Sequence, residues 1–154
     1  MRAEIVAVGT ELLLGQIADE NARWISERLA AIGVDVMHHQ AVGDNPERIV
    51  DALGLAVSRA DAVLVTGGLG PTQDDITRDA IARLLEVPLV YHDEIEGLLR
   101  AKFAGIGRHM PRSNLRQAEV PQGCRYITPI RGTAPGLIAE LEGSRIYAMP
   151  GVPL

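Results

Sequence analysis

The sequence predicts an α/β protein with a mostly parallel sheet wrapped by helices on both sides. Short apolar segments rich in Val and Ile alternate with segments whose apolar residues recur at helical spacing. The segment DAVLVT, at 61–66, lacks polar alternation, as do strands that are buried on both faces. Repetition of strand and helix in this order is typical of parallel strands connected by helices.

The first half of the chain contains two strand–helix units. EIVAV, at 4–8, is a short strand that ends at Gly9. A helix ending at Gly33 follows a polar loop, and its apolar face consists of Ala22, Ile25, Leu29 and Ile32. The second strand is expected at 34–38. A turn then leads to Pro46, which suits the first position of a helix.

The third strand, at 61–66, leads through a glycine-rich loop to a helix that Thr77 is expected to cap. A fourth strand of the sheet is predicted at 88–92, followed by a helix from 93 to about 103. The last third of the chain does not continue this alternation of strand and helix. We expect a short helix near 114–118, then irregular chain, and finally a hairpin over 137–149.

Composition narrows the class of function. A chain of 154 residues fits one domain, here 1–154, and can bury a core without disulfides or metals. The net charge of −5 and the aromatic content of 3% argue against nucleic acid as a partner. No apolar run approaches the roughly 18 residues that cross a membrane, and the N-terminus does not resemble a signal peptide. We therefore expect a cytoplasmic protein without a membrane partner.

The segment TGGLGPTQDD, at 66–75, is the strongest candidate for a binding loop. It follows the end of a strand, where open α/β sheets bind their ligands. Thr66 precedes three glycines, Gly67, Gly68 and Gly70, which permit the backbone to turn its N–H groups toward an anion. The pattern favours phosphate binding, although a tight turn without a ligand explains it too. The loop lacks the lysine of a Walker loop.

Two aspartates close this loop, and a bare carboxylate repels phosphate. A divalent cation between the two groups turns this repulsion into attraction, because Mg²⁺ binds one or two carboxylates together with substrate phosphates. Asp75 is one candidate metal ligand. Asp44 follows the second strand and is the other candidate, although it is equally suited to cap the helix at Pro46. Asp74 is expected to be a solvated loop residue.

Three further segments belong to the same edge of the predicted sheet. The loop after the first strand contains Thr10, Glu11 and Asn21, and Asn21 suits either a ligand contact or a helix cap. GTAPG, at 132–136, includes Pro135 and Gly136, and MPGVP, at 149–153, includes Pro150 and Gly151; both are rigid turns that expose backbone donors. The histidines lack the spacing of a zinc site.

Together, GTELLLGQIADEN, TGGLGPTQDDITRDA, NLRQAEVP, GTAPG and MPGVP strongly resemble the N-terminal, molybdopterin-binding-like domain of the competence/damage-inducible CinA family. The resemblance covers essentially the whole chain. It implies a three-layer α/β/α sandwich that hydrolyses ADP-ribose to AMP and ribose 5-phosphate with a divalent cation, Mg²⁺ or else Co²⁺ or Mn²⁺. A homo-oligomer is expected.

By motif position, the resemblance assigns a phosphate loop to Gly67, Gly68 and Gly70, an acidic pair to Asp44 and Asp75, and a ligand contact to Asn21. Leu69 stands where molybdopterin enzymes commonly have threonine, which favours the CinA branch. No deamidase domain is present in 1–154, and we expect the chain to be truncated after MPGVP. A molybdopterin-binding or molybdopterin-adenylylating protein and a non-catalytic nucleotide-binding module are the alternatives.

Overall fold

A computed structural model describes residues 1–151. The strands are β1 (Arg2–Val8), β2 (Asp35–Val42), β3 (Ala62–Thr66), β4 (Leu89–Tyr91), β5 (Glu119–Pro121), β6 (Arg125–Ile127), β7 (Gly136–Leu141) and β8 (Ser144–Met149). The helices are α1 (Thr10–Leu13), α2 (Glu20–Ala31), α3 (Pro46–Arg59), α4 (Thr77–Leu85) and α5 (Asp93–Gly105), with a 3₁₀ helix at Arg112–Ala118. The end of the MPGVP segment, including Pro153, lies outside the described residues.

Six strands form the central sheet in the order β2-β1-β3-β8-β7-β6. The pairs β1–β2, β1–β3 and β3–β8 are parallel, whereas β7 pairs antiparallel with both β8 and β6. The carboxyl ends of β2, β1, β3 and β8 therefore meet at one edge. The loops after these strands are the segments in which the sequence predicts ligand-binding residues.

Helices cover both faces of the sheet. On one face, Ala22 and Ile25 of α2 pack on Ile5 of β1. On the other, apolar residues of α3, α4 and α5 form one core cluster with alternate side chains of β1 and β3, including Val6 and Val63. The three-layer, mostly parallel α/β architecture is thus confirmed. Among residues 1–151, no helix is long and apolar enough to span a membrane.

The sequence-based prediction was wrong about the strand at 88–92 and the segment after the 3₁₀ helix. Strand β4 does not join the central sheet, because it pairs antiparallel with β5 in a separate two-stranded sheet. The segment expected to be irregular contains β5 and β6. Both strands have only three residues, and such short segments carry too little periodicity to be recognised.

The predicted cap at Thr77 was wrong, and the structure also excludes the cap alternatives for Asp44 and Asn21. Thr77 is the first residue of α4 and its hydroxyl bonds Gly67 O instead of capping the helix. Asn45, not Asp44, caps α3 by accepting from Arg48 N at 3.0 Å. Asp19, not Asn21, caps α2. The side chains of Thr77, Asp44 and Asn21 form hydrogen bonds with other loops instead.

Candidate functional site

A wide cleft of about 1080 Å³ opens at the carboxyl ends of the parallel strands. Its walls come from the loops after β1, β2, β3 and β8, and from residues 131–134 before β7. This volume is at the upper end of ordinary small-molecule sites. Most of the sequence-predicted site residues line it: Glu11, Asn21, Asp44, Thr66, Gly67, Gly68, Gly70, Asp75, Pro150 and Gly151.

The loop after β3 needs glycine at its first two positions. Gly67 and Gly68 have φ angles of 92° and 73°, in the left-handed region that disfavours side chains. A Cβ at Gly67 would collide with Val8 O, and one at Gly68 would collide with Thr77 Oγ1. These glycines are thus required for the fold, so substituting Gly68 cannot by itself separate a binding role from a structural one.

The start of α4 holds three consecutive carbonyl groups of this loop. Thr77 Oγ1 donates to Gly67 O at 2.8 Å and Thr77 N donates to Gly68 O at 3.0 Å. Arg78 Nη2 donates to Leu69 O at 3.1 Å. All peptide bonds described are trans, so each following N–H points opposite to the carbonyl that is held. The N–H groups of Gly68, Leu69 and Gly70 therefore face away from α4, and these three residues line the cleft.

Arg78 is a residue that the sequence reasoning missed. Only 1% of its surface is exposed, and among residues 1–151 its Nε and Nη1 have no hydrogen-bond partner. Burial lowers the pKa of its guanidinium, while the nearby charge of Asp79 acts in the opposite direction. A signal was present, because helical spacing places Arg78 on the same face as the buried Ile81.

Asp75 stabilises the end of the glycine loop. Its Oδ2 accepts hydrogen bonds from Thr72 N at 2.9 Å and from Thr72 Oγ1 at 2.7 Å. The same carboxylate packs against Gly70, where a Cβ would lie 2.6 Å from Asp75 Oδ2. Asp75 thus lies beside the loop backbone, as the sequence predicts, and its half-buried side chain lines the cleft.

Asp44 connects the loops after β1 and β2. Thr10 N donates to Asp44 Oδ2 at 3.3 Å, and Asp44 N donates to Thr10 Oγ1 at 3.1 Å. Asp44 lines the cleft, whereas Thr10 lies just outside its lining. The position of Thr10 indicates that it supports Asp44.

Carboxylates dominate the charged lining of the cleft. The lining includes one basic side chain, Arg131, and the acidic side chains of Glu11, Asp19, Glu20, Asp44, Asp74 and Asp75. Among residues 1–151, no three His, Cys, Asp or Glu side chains form a group that could hold a metal by themselves. The oxygen-only donor set fits a hard cation that completes its shell with water and ligand oxygens, as Mg²⁺ does.

Asn21 joins the first and last walls of the cleft. Its Nδ2 donates to Gly151 O at 2.8 Å. Gly151 in turn packs closely on the glycine loop, because a Cβ there would lie 2.8 Å from Gly67 Cα. The amide of Asn21 is therefore engaged with the backbone of the MPG turn.

Two predicted binding residues lie elsewhere. Pro135 and Gly136 are buried and do not line the cleft. Pro135 borders a small apolar cavity beside Leu99. Gly136 begins β7, and a Cβ there would lie 3.1 Å from Ala148 O, so close packing between strands explains the glycine. In the same loop, the residues lining the cleft are Arg131, Gly132, Thr133 and Ala134.

The 3₁₀ helix contributes side chains that the sequence analysis did not single out. Arg116 Nη1 donates to Thr72 O at 2.7 Å, and its Nη2 donates to Asp79 Oδ2 at 3.2 Å. Arg116 thus connects the glycine loop to α4. Gln117 lines the cleft, and its Oε1 accepts from Asn114 Nδ2 at 3.1 Å. Arg116 and Gln117 both belong to the motif NLRQAEVP, which contributed to the resemblance to CinA but did not show which of its residues contact the loop or the cleft.

This fold and cleft define an α/β domain of the molybdopterin-binding-like class. The model of the family described as "Probable molybdopterin binding domain" matches residues 4–154. The chain belongs to this family, in its CinA branch.

Relatives by sequence are named as competence-damage inducible or CinA-like proteins. One from Acetivibrio thermocellus, whose name describes a competence-damage inducible protein, is 48% identical over 153 residues. A CinA-like protein from Frankia casuarinae is 46% identical over 158 residues. In each case 99% of this chain is covered, but only 37% and 36% of the respective relative. The chain thus spans little more than a third of these proteins.

Solved structures agree with this assignment. CinA from Thermoplasma acidophilum is 33% identical with a TM-score of 0.90, over 99% of this chain and 89% of that one. MoaB from Thermus thermophilus, described as a molybdopterin biosynthesis enzyme, is 24% identical with a TM-score of 0.65, over 99% and 82% of the two chains. The second likeness supports the fold alone.

Proposed function

We propose that this domain hydrolyses ADP-ribose, or a related nucleoside diphosphate compound, with the help of a divalent cation. The observation that carries the proposal is that backbone N–H donors and carboxylates line the same cleft. Backbone donors of the glycine loop face a cleft whose charged lining is mainly carboxylate. A diphosphate alone pairs with the backbone donors, and a divalent cation bound with it also neutralises the carboxylates, so the two together satisfy the donors and the carboxylates.

In this proposal, the N–H groups of Gly68, Leu69 and Gly70 bind diphosphate oxygens. Asp44 and Asp75 would hold Mg²⁺, Mn²⁺ or Co²⁺. When bound, such an ion polarises the phosphoryl group and neutralises its charge. Thr10 keeps the Asp44 loop in position, and Arg116 keeps Thr72, the partner of Asp75, in position.

The reaction breaks the bridging phosphoanhydride bond. A water oxygen bonds to one phosphorus, and the bond from that phosphorus to the bridging oxygen breaks. The leaving phosphate keeps the bridging oxygen, and the water proton passes to solvent or to a cleft carboxylate. From ADP-ribose, the products are AMP and ribose 5-phosphate. Positioning and charge stabilisation account for most of the catalysis in such reactions.

A second candidate is a molybdopterin-binding or molybdopterin-adenylylating protein. The description of the matched family favours it. The same loop and cation would serve a nucleotide in that reaction, but turnover of ATP would then require the pterin. A third candidate, a non-catalytic nucleotide-binding module, would bind without turnover.

The test is incubation with ADP-ribose and a panel of nucleoside diphosphate compounds in Mg²⁺, Mn²⁺ or Co²⁺, with chromatographic separation of products. We expect AMP and ribose 5-phosphate in equal amounts, abolished by EDTA and restored by excess metal. Full activity in EDTA would contradict the proposed requirement for a divalent cation. Pterin-dependent consumption of ATP without hydrolysis of ADP-ribose would select the second candidate, and tight binding without turnover the third.

A further inference from the structure

Arg78 destabilises the folded state by its burial. A buried guanidinium loses its hydration, and here it has one hydrogen bond, to Leu69 O, while Nε and Nη1 lack partners among residues 1–151. Each unsatisfied buried donor destabilises the folded state. Asp79, its neighbour in the chain, is paired with Arg116. A buried charge without an ion-pair partner also keeps its desolvation penalty, which an apolar side chain at the same place would not have.

The place of Arg78 indicates what its charge could do. The guanidinium lies behind the glycine loop, on the side opposite to the cleft, and does not line the cleft itself. By holding Leu69 O, it fixes the peptide plane whose N–H, that of Gly70, faces the cleft. A positive charge behind that plane also polarises the peptide in the direction that favours an anion. The loop lacks a lysine, and Arg78 supplies a buried positive charge that is bonded directly to the loop backbone.

We propose that Arg78 is a positioning residue of an anion site, at which its buried charge and its bond to Leu69 O prepare the Gly68–Gly70 backbone for a diphosphate. The inference rests on the proposed function in taking a diphosphate as the ligand. Thr77 acts with it, since its hydroxyl and N–H fix the two preceding peptide planes. Arg78 makes no direct contact with the ligand.

The test measures binding of inorganic pyrophosphate to the metal-free protein in EDTA, by calorimetry at low ionic strength. Arg78→Met removes the charge and every donor and keeps an unbranched, though shorter, apolar side chain. We expect its dissociation constant to rise at least about tenfold, as expected for loss of charge-assisted hydrogen bonding. Its melting temperature should change little, because removing two unsatisfied donors offsets the loss of the hydrogen bond to Leu69 O. A residue that serves only the structure would show the opposite, with lower stability and unchanged affinity.

Arg83→Met is the matched control. It lies on the same helix and changes the net charge equally, but its side chain is exposed and pairs with an exposed Glu47. Pyrophosphate affinity should remain at the wild-type level. Arg78→Lys keeps the charge and should restore affinity to within about threefold of the wild type, because a lysine retains a donor and a positive charge.

The outcomes separate this inference from the proposed function. Wild-type affinity in Arg78→Met, or no binding of pyrophosphate by the wild type, would overturn the inference even if ADP-ribose is hydrolysed. Arg78-dependent binding without hydrolysis of any diphosphate compound would leave the inference standing and overturn the hydrolase. If Arg78→Met does not fold, Arg78→Gln replaces it, and equal affinity of the Gln and Lys variants would overturn the role of charge.

Discussion

Asp44 and Thr10 exchange two hydrogen bonds across the mouth of the cleft, from Thr10 N to Asp44 Oδ2 and from Asp44 N to Thr10 Oγ1. These bonds connect the loops that follow two neighbouring parallel strands, β1 and β2. Asp44 therefore does not depend on a helix cap for its position. Its carboxylate keeps one oxygen, Oδ1, that is not used by Thr10.

Replacing Asp44 tests whether its charge or its bond to Thr10 matters. Asp44→Asn keeps an oxygen that can accept from Thr10 N, so the melting temperature should change little. Hydrolysis should fall at least ~100-fold, or about 2.7 kcal/mol of transition-state stabilisation at ~1.36 kcal/mol per tenfold. Thr10→Val is the control, since it removes the hydroxyl and keeps the carboxylate; its activity should fall far less. Equal losses in both variants would make Asp44 a loop support.

Asp75→Asn makes the corresponding test at the glycine loop. Asparagine can still accept from Thr72, so we expect stability near that of the wild type, with hydrolysis reduced by a similar ~100-fold. Metal-free pyrophosphate binding should weaken little or tighten, because a repelling carboxylate is gone. If both aspartates hold one ion, the double variant will lose much less than the product of the two single losses. Near-wild-type turnover of Asp75→Asn in Mg²⁺ would refute the assignment.

Asn21 is expected to act by holding the MPG turn. Asn21→Ala and Asn21→Asp both remove the donor to Gly151 O, so each should lose about 1 kcal/mol of unfolding free energy. For a domain of this size, that loss lowers the melting temperature by roughly 2–4 °C. Thermal denaturation followed by circular dichroism measures it. Unchanged stability in both variants, with weaker ADP-ribose binding, would instead support a direct ligand contact.

Acid stability should depend on Glu4, a fully buried carboxylate in β1. Burial raises its pKa, but hydrogen bonds from Arg59 and Gln40, together with the charge of Arg59, outweigh this and lower the pKa. A lowered pKa in the folded state means that the unfolded chain binds the proton more readily. The stabilisation by Glu4 is thus present above about pH 4.3, the ordinary value for glutamate, and is lost as pH falls through the folded-state pKa.

Denaturant unfolding at several pH values measures this dependence. Glu4→Gln should be less stable than the wild type at pH 7, and the difference should narrow below about pH 4.3. Glu27→Gln is the control, because Glu27 is exposed and pairs with the exposed Arg23. It should leave the acid dependence unchanged. A constant difference between wild type and Glu4→Gln across this range would contradict the role of Glu4.

The amino-acid sequence was sufficient to predict the α/β class, the first three strands, the C-terminal hairpin and most of the loops that line the cleft. These features have strong local causes: apolar runs of fixed length, helical spacing, and glycines at the ends of strands. Because parallel strands end at one edge, the loops after them had to meet. That topological rule brought Asp44, Asp75 and the Gly67–Gly70 loop to one cleft without any knowledge of side-chain packing.

Which polar groups form hydrogen bonds with one another became clear from the three-dimensional fold. Local sequence could not show that Asn21 bonds Gly151, 130 positions away, or that Pro135 and Gly136 pack outside the cleft. Local sequence also could not show that β4 pairs with β5 and not with the central sheet, because this pairing joins segments that are distant in the chain. Arg78 is the clearest case, since its burial and its bond to Leu69 O exist only once α4 packs beneath the loop. Hydrogen bonds between distant segments depend on three-dimensional distances, which local periodicity does not encode.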